Sequence, residues 1–411
     1  MTILHCSAEC YPYAKVGGLA DVAGALPKYQ CMAGMKSMLI MPMHRTPFLY
    51  AHGWDVVHKG EVFVGRLSYV FTVIKEQKNI CGFELYAVDI HGLLDREKVY
   101  GYEDDAYRFL AFQLCVVSWI ESLHQIPDVI HLHDHHTAII PFILRHTRYA
   151  EKLGKIKTVL TIHNAQYQGT ESLSFMQLLP WWDHYKTGLL EWNRQFNALA
   201  CGVKCADKVN TVSKTYMNEL MQQANGLEKL FEYEKGKCTG IVNGIDDEVW
   251  NPLNDMYIHT HYQANSVKQG KQKNKEHICA EFGLDHTLPL FIFIGRLVHD
   301  KSADLLPSVI DQSIKEYGQS MNWLILGSGD YYLEDALKNI SDKHNHHVKF
   351  IRAYNEPLSH RMYASANFLL MPSRVEPCGL NQLYAMRYGT IPDRKSTRLN
   401  SSHANISYAV F

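Results

Sequence analysis

The sequence predicts an α/β protein made of two doubly wound, Rossmann-like domains. Across its 411 residues, short β-rich runs alternate with helical patterns, which is typical of parallel sheets that carry helices on both faces. The alternation breaks near residue 240 and then starts again, which indicates a second sheet. The length agrees, because a domain usually takes about 100–200 residues.

Composition and charge exclude several other classes of protein. Lys and Arg total 41 and Asp and Glu total 42, so the net charge of −1 lacks the broad basic field of a nucleic-acid-binding protein. No run reaches the about 18 apolar residues of a membrane span, and the N-terminus lacks the positive charge of a signal peptide. Ten scattered cysteines predict a reducing, cytoplasmic location, with Cys201 and Cys205 as buried hydrophobic residues rather than half of a metal site.

The first half of the chain is predicted to contain five strands, four helices and an inserted hairpin. The strands are Thr2–Ser7, Ser37–Met41, Asp128–His131, Thr158–His163 and Lys208–Val212; the helices are Leu19–Met32, Asp105–Leu123, Ala138–Arg145 and Lys214–Gln222; the hairpin pairs Ser68–Ile74 with Gly82–Val88.

The second half repeats the alternation after a turn-rich hinge at Asn243–Pro252. The predicted strands are Leu290–Ile294, Trp323–Leu326, Val348–Ile351 and Phe368–Met371, and the helices are Ser302–Tyr317, Tyr331–Lys338, Leu358–Ala364 and Gly379–Arg387. Ligands of open α/β sheets lie beyond the carboxyl ends of the strands, so the residues that directly follow each strand are the candidates for function.

A glycine pair follows the first strand and opens the first helix. Lys15, Gly17, Gly18 and Asp21 place a positive charge, two small residues and a carboxylate at a helix N-terminus, where backbone N–H groups favour an anion. The segment matches neither a Walker loop nor G-x-G-x-x-G. It predicts either a phosphate site or a plain strand-to-helix turn.

Two histidine-containing segments follow later strands. In the first, alternation places His131 and His133 on one side of a strand, and Asp134 is predicted to cap the next helix. A binuclear metal site is the alternative, although the spacing misses H-x-H-x-D-H by one position. His163 and Asn164 offer a proton-sharing ring and an amide after another strand, although a single histidine is often only structural.

Two cations follow the first strand of the second half. Arg296 and Lys301 combine a planar guanidinium with a compact ammonium, which suits a diphosphate, whereas a solvated loop pair is the plainer interpretation.

A carboxylate precedes the last predicted helix. The first N–H groups of that helix would follow Glu376 and come from Cys378, Gly379 and Leu380. This arrangement predicts a carboxylate at a sugar and a helix start at a phosphate, or else a capped surface helix.

Together these segments resemble bacterial glycogen synthases, also named starch synthases, the ADP-glucose-using members of glycosyltransferase family 5. The motifs are KVGGLADVAGALPK, LTIHNAQYQG, NTVSKTY, GIVNGID, GRLVHDK and SRVEPCGLNQLYAMRYGT, in order from Ile3 to about Pro392. The resemblance implies the GT-B fold, in which an acceptor-side domain at 1–242 and a nucleotide-sugar-binding domain at 243–392 face a cleft.

The resemblance also implies an enzyme that transfers glucose from ADP-glucose to the 4-OH at the non-reducing end of an α-1,4-glucan (glycogen or starch), with retained configuration and with no metal or cofactor. Glu376 and His163 would act at the glucose, while Arg296 and Lys301 would hold the diphosphate. The implied substrate-binding residues are Lys15, Gly17, Gly18, Asp21, Asn164, Asn243, Tyr354 (on the adenine), Cys378, Gly379 and Leu380.

Three departures from the family pattern stand out. His135 replaces a usual Trp, and Ser302 replaces a usual Gly, where it is expected to stiffen the loop. From Asp393 to Phe411 the chain reads DRKSTRLNSSHANISYAVF, which matches the translation of a sequencing adapter and has no strand or helix periodicity. Residues 393–411 are therefore predicted not to be native, with the second domain incomplete and the chain truncated.

Other activities stay open on sequence alone. The same fold would accommodate another donor such as UDP-glucose, or sucrose as the product, although the EPCGLNQ run argues against both. A metal-dependent hydrolase would centre on the segment His131–His136. A glucan-binding relative without catalysis, or an inactive truncated one, would not need the intact Lys15, His163 and Glu376.

Overall fold

The computed structural model describes residues 1–394, with side chains through 393, so most of the predicted adapter segment lies outside the described residues. The chain divides into two compact units, Met1–Gly244 (unit 1) and Ile245–Phe411 (unit 2). None of the described helices is both long and apolar enough to span a membrane.

Unit 1 is built on a nine-stranded sheet in the order β12-β11-β7-β6-β1-β2-β5-β4-β3, with a small second sheet of β8, β10 and β9. The strands are β1 (Thr2–Cys6), β2 (Lys36–Pro42), β3 (Trp54–Val64), β4 (Leu67–Glu76), β5 (Glu84–Asp89), β6 (Val129–His133), β7 (Lys157–Ile162), β8 (Thr170–Glu171), β9 (Glu191–Trp192), β10 (Gln195–Asn197), β11 (Lys208–Thr211) and β12 (Cys238–Gly240). The helices are α1 (Gly18–Met32), α2 (Pro47–Ala51), α3 (Asp105–Ser122), α4 (Ile140–His146), α5 (Ala150–Leu153), α6 (Thr187–Leu190), α7 (Ala198–Cys205), α8 (Lys214–Leu220) and α9 (Glu228–Tyr233).

The centre of this sheet is fully parallel. β1 pairs with β2 on one side and with β6 on the other, and β6 continues to β7 and β11. Helices cover these strands, so their apolar side chains are buried, as in Leu4, Leu39 and Ile130. The five predicted strands of this half are confirmed within two residues, which is the usual uncertainty of element ends.

The predicted hairpin is only partly right. β4 does pair antiparallel with β5, but β5 also lies parallel to β2 and so belongs to the main sheet. The true hairpin joins β3 to β4. The strand β3 escaped the sequence analysis because most of its residues are exposed at the sheet edge and its hydrophobic alternation is weak.

Unit 2 is a five-stranded parallel sheet in the order β15-β14-β13-β16-β17. Its strands are β13 (Leu290–Ile294), β14 (Asn322–Gly327), β15 (Val348–Arg352), β16 (Phe368–Met371) and β17 (Ile391–Arg394). Its helices are α10 (Val267–Phe282), α11 (Leu306–Tyr317), α12 (Tyr331–Lys343), α13 (Glu356–Ser365) and α14 (Leu380–Arg387).

Three predictions for unit 2 need correction. α11 begins at Leu306 instead of Ser302. α12 runs to Lys343 instead of Lys338, and the Lys343 ammonium lies 3.0 Å from Asp311 Oδ1, which supports the last turn. Strand β17 includes Asp393, which pairs with Leu370, so the adapter-like segment does begin inside the sheet. Ladder hydrogen bonds come from the backbone, so a strand can form there without side-chain alternation.

A buried ion pair joins the segment after residue 245 to the helices of unit 2. His360 Nδ1 lies 2.7 Å from Asp255 Oδ2, and the Tyr388 hydroxyl donates to the same carboxylate. Trp250 stacks on the His360 ring at 3.8 Å. Burial opposes the charge on His360, but hydrogen bonding to Asp255 and the nearby Glu356 raises its pKa above the ordinary 6.5.

We expect Asp255→Asn to lower the free energy of unfolding by about 3–5 kcal/mol, because it leaves a buried partner without its counter-charge. Because the pKa of His360 is raised in the folded state, its protonation stabilises the fold. This stabilisation is fully present below pH 6.5 and is lost as the pH rises through the folded-state pKa. Urea unfolding below and well above that pH should therefore show a fall in wild-type stability that is smaller in Asp255→Asn. An equal fall in both proteins would contradict this assignment.

Candidate active site

In unit 1 a buried carboxylate organises the glycine turn. Glu9 is only 4% exposed, and its Oε2 accepts hydrogen bonds from the N–H groups of Val16 (2.5 Å) and Gly17 (3.0 Å). Its Oε1 accepts from the Tyr100 hydroxyl at 2.8 Å. In this structure the Gly17 N–H therefore donates to Glu9, and contact of the glycine turn with the nucleotide sugar stays a prediction.

Next to this turn, Lys15 pairs with Asp21. The Lys15 ammonium lies 2.8 Å from Asp21 Oδ1, and both side chains are about one-seventh exposed. Gly18 starts α1, and Asp21 falls in its first turn, where the helix dipole favours a negative charge. The structure thus brings together Lys15, the glycine pair and Asp21, as the sequence predicts.

A second buried carboxylate, that of Asp134 after β6, fixes the backbone that follows β7. Asp134 Oδ1 accepts from the N–H of His163 at 2.7 Å and from that of Asn164 at 3.4 Å. The predicted capping role of Asp134 is wrong: its side chain turns to the neighbouring strand end, from a backbone with φ of +57°. Burial raises its pKa to about 7, although the two N–H donors partly offset the effect.

The side chain of His163 joins a cluster of imidazoles. His163 Nε2 lies 3.0 Å from His133 Nδ1, and His133 Nε2 lies 3.1 Å from His5 Nδ1. His131 stacks on His133 with a centroid distance of 4.6 Å. Burial lowers the pKa of His163 to about 3 and that of His5 to about 4. Burial also lowers the pKa of His131 and of His133 well below 6.5, so all four rings are neutral near pH 7.

Three rings of this cluster have the spacing of a metal site. One nitrogen each of His5, His131 and His133 lies within 4.8 Å of the others. The same three rings already make hydrogen bonds, since His5 Nδ1 lies 3.1 Å from His133 Nε2 and His131 Nε2 lies 2.6 Å from the Thr161 hydroxyl. Asp134, the carboxylate of the binuclear pattern considered from sequence, accepts through Oδ1 from the 163–164 backbone.

In unit 2, the predicted lysine and carboxylate meet. Lys301 Nζ lies 2.6 Å from Glu376 Oε2, and the Ser373 hydroxyl donates to the same oxygen at 2.9 Å. The Glu376 side chain is 11% exposed and that of Lys301 is 27% exposed. The two residues are 75 positions apart, and the parallel pairing of β13 with β16 brings their loops together.

Ser302 explains why the family pattern has glycine at this place. Its backbone is left-handed, with φ of +52° and ψ of +32°, which glycine adopts without strain. It lies between two short 3-10 turns, so α11 starts only at Leu306. Its hydroxyl is buried and has no hydrogen-bond partner among the described residues.

The helix start after Glu376 differs from the prediction. α14 begins at Leu380, and Gly379 is its N-cap in a left-handed conformation with φ of +84°. Cys378 therefore precedes the helix and contributes no N–H group to its first turn. The Asn381 amide donates to Ile294 O at 2.7 Å and fixes this turn on the end of β13.

The remaining predicted residues lie on accessible loops. Arg296 follows β13 and is exposed. Tyr354 follows β15, is 62% exposed, and donates from its hydroxyl to Glu356 at 2.5 Å. Asn243 lies near the end of unit 1 and is partly buried. None of the contacts described for these three residues indicates a ligand.

Comparison with known proteins gives the family. Residues 2–233 match the family model described as "Starch synthase catalytic domain", and residues 274–392 match "Glycosyl transferases group 1". A glycogen synthase from Flavobacterium johnsoniae is 49% identical over 392 residues, which cover 95% of this chain and 83% of that protein. The chain belongs to the glycogen and starch synthase family.

Other relatives agree. A glycogen synthase from Hydrogenobaculum sp. is 36% identical over an alignment that covers 95% of this chain and 81% of that protein. The solved catalytic domain of starch synthase IV from Arabidopsis thaliana, bound to ADP and acarbose, superposes with a TM-score of 0.86 at 27% identity, over 96% of this chain and 82% of that one. The protein is thus a GT-B glycosyltransferase of glucan synthesis, and the family predicted from its motifs is confirmed.

We expect Asp134→Ala to lower kcat for glucan elongation about 100-fold, because the 163–164 backbone loses its acceptor and a small misplacement in an active site costs about that much. Asp134→Asn is the matched control, since asparagine keeps an acceptor oxygen and tolerates positive φ. It should stay within about tenfold of the wild type. Equal losses in both variants would show that the charge of Asp134, and not its geometry, matters.

We expect Ser302→Gly to raise the free energy of unfolding by about 1 kcal/mol, because relief of the left-handed strain and of an unpaired hydroxyl outweighs the added chain entropy. Ser302→Ala removes the hydroxyl but keeps the strain, so the stability of this variant should lie between that of the wild type and that of Ser302→Gly. Urea unfolding measures all three proteins. A destabilised glycine variant would refute this explanation of the loop.

Proposed function

We propose that this enzyme transfers glucose from ADP-glucose to the 4-OH at the non-reducing end of an α-1,4-glucan, with retention of configuration. The observation that carries the proposal is the Lys301–Glu376 pair at 2.6 Å in unit 2. It places a cation and a carboxylate together after two neighbouring strands, in a chain of the glycogen and starch synthase family.

The leaving group explains the need for cations. A nucleoside diphosphate departs with negative charge, so positive groups can replace the general acid that a glycosidase requires. Lys301 and Arg296 are the proposed diphosphate ligands. The partly exposed ammonium of Lys301 can turn from Glu376 to a phosphate oxygen, and the exposed Arg296 guanidinium can donate two parallel hydrogen bonds.

Glu376 is the proposed partner of the glucose. As the sugar–phosphate bond breaks, positive charge develops at the anomeric carbon, and a carboxylate nearby stabilises it. Ser373 and Lys301 both donate to Oε2, so this carboxylate is held in a defined orientation before substrate binds. Retention by same-face attack would pass the acceptor proton to the departing phosphate.

Unit 1 supplies the other proposed contacts. Lys15 offers a second ammonium, kept beside the glycine turn by Asp21. His163 is neutral, so its ring and its backbone carbonyl can meet sugar hydroxyls and the developing cation without repelling it. Asn164 adds an amide, and Asp134 fixes the backbone of both residues.

ADP-glucose is preferred over UDP-glucose in this proposal because the sequence matches family 5 and Tyr354 offers an exposed ring for stacking on adenine. Purified full chain should be assayed with each donor and with maltohexaose as acceptor. ADP-glucose should give at least about tenfold higher kcat/KM. Equal or better use of UDP-glucose would overturn the donor assignment.

We expect Glu376→Ala to lower kcat at least about 1000-fold, because it removes a group that acts on charge formed only in the transition state. Glu281→Ala is the control: it removes a glutamate of similar type, from an exposed pair with Arg361 on unit 2. Initial rates should be unchanged in the control. Transfer at the wild-type rate by Glu376→Ala would refute the site.

A further inference from the structure

A row of polar side chains crosses the parallel strands of unit 1, where apolar residues are the norm. In register, His5 on β1 lies opposite His131 on β6, His133 on β6 lies opposite Thr161 on β7, and Thr161 lies opposite Asn210 on β11. Buried polar groups are costly unless they are hydrogen-bonded. A polar row of this length inside a sheet therefore calls for an explanation other than packing.

One line of hydrogen bonds runs through the row from helix α1 to the candidate site. Gln30 Oε1 lies 2.8 Å from His5 Nε2, His5 Nδ1 lies 3.1 Å from His133 Nε2, and His133 Nδ1 lies 3.0 Å from His163 Nε2. The Ser37 hydroxyl donates to the same Gln30 oxygen at 2.8 Å. Four side chains are thus linked end to end.

The rings in this line are neutral, because burial lowers the pKa of each of them. A neutral imidazole has one N–H and one bare nitrogen, so a donor at one end makes the other end an acceptor. In a linear chain of such rings, the group at the end opposite to His163, here Gln30, decides which nitrogen of every ring carries the proton.

The atom of Gln30 in this chain is its amide oxygen, which can only accept. His5 must then carry its proton on Nε2 and accept at Nδ1. His133 must donate from Nε2 and accept at Nδ1, and His163 must donate from Nε2. The Nδ1 atom of His163 is left as a bare acceptor.

The neighbouring ring follows the same rule. His131 Nε2 lies 2.6 Å from the Thr161 hydroxyl, and that hydroxyl donates to Asn210 Oδ1 at 2.9 Å. Thr161 must therefore accept from His131, which also carries its proton on Nε2. Two amide oxygens, from Gln30 and Asn210, thus impose one tautomer on the whole cluster.

We propose that Gln30, through His5 and His133, sets the tautomer of His163 so that its Nδ1 accepts a hydrogen bond from a hydroxyl of the bound sugar. Gln30, His5 and His133 are positioning residues, since they act only through His163. This inference rests on the proposed function, which places His163 at the glucose. The tautomer itself can be measured without any substrate.

The direct test is ¹⁵N NMR of the full chain labelled at histidine, in which protonated and bare ring nitrogens have well-separated shifts. The His163 signals are identified by their loss in His163→Asn. We expect the proton on Nε2 and a bare Nδ1 for His163, His133 and His5. A proton on Nδ1 of His163 would overturn the proposal, whatever the activity of the enzyme.

The variant pair is Gln30→Met and Ser37→Ala. Gln30→Met removes the acceptor, so we expect a mixture of His163 tautomers and a kcat about tenfold lower, with the KM for ADP-glucose within about twofold. Ser37→Ala removes only the second donor to Gln30 and should leave the tautomer and kcat unchanged. An unchanged His163 tautomer in folded Gln30→Met would overturn the proposal.

Two further outcomes separate this inference from its alternatives. If the wild-type chain shows the expected tautomer but no transfer from ADP-glucose, the proposed function is wrong, whereas the hydrogen-bond relay from Gln30 to His163 is retained. If the chain as purified holds one zinc or other transition metal per molecule, and loss of it moves the shifts of His5, His131 and His133, then a metal instead of a proton lies between these rings. That result would overturn the relay.

Discussion

The pairing of β1 with β2 on one side and β6 on the other is the constraint on which unit 1 depends. Because these strands are parallel, their carboxyl ends come out at one edge, and the segments after them are neighbours in space. Glu9 after β1, Asp134 after β6 and His163 after β7 lie at that edge. The same rule in unit 2 brings the loop after β13 to the loop after β16, where Lys301 meets Glu376.

The two units use carboxylates in different ways. In unit 1, Glu9 and Asp134 are buried and accept from backbone N–H groups, so both carboxylates stabilise the conformation of loops. Burial raises the pKa of each, because it disfavours the charged form. In unit 2, the Glu376 side chain is 11% exposed and accepts from the side chains of Lys301 and Ser373. A carboxylate of the second kind is better suited to act on a substrate.

The sequence predicted most of the fold because the buried parallel strands are short β-rich runs between helical patterns. It also predicted that Lys15, His163, Lys301 and Glu376 follow strand ends. It missed Glu9 as a loop organiser and misassigned Asp134, because their partners depend on contacts made only in the folded chain. The His5–His133 contact spans 128 residues, and no local pattern indicates it. Strand β3 was missed because it is an exposed edge.

Elongation of an α-1,4-glucan with retention of configuration is the activity that we propose for this chain. The most direct measurement is ¹H NMR of a reaction containing the full chain, ADP-glucose and maltohexaose, followed in real time. We expect the anomeric signal of ADP-glucose to be replaced by that of a new internal α-1,4 linkage, and β-amylase to remove the added glucose as maltose. A β-linked product, or hydrolysis to free glucose without a longer glucan, would contradict it.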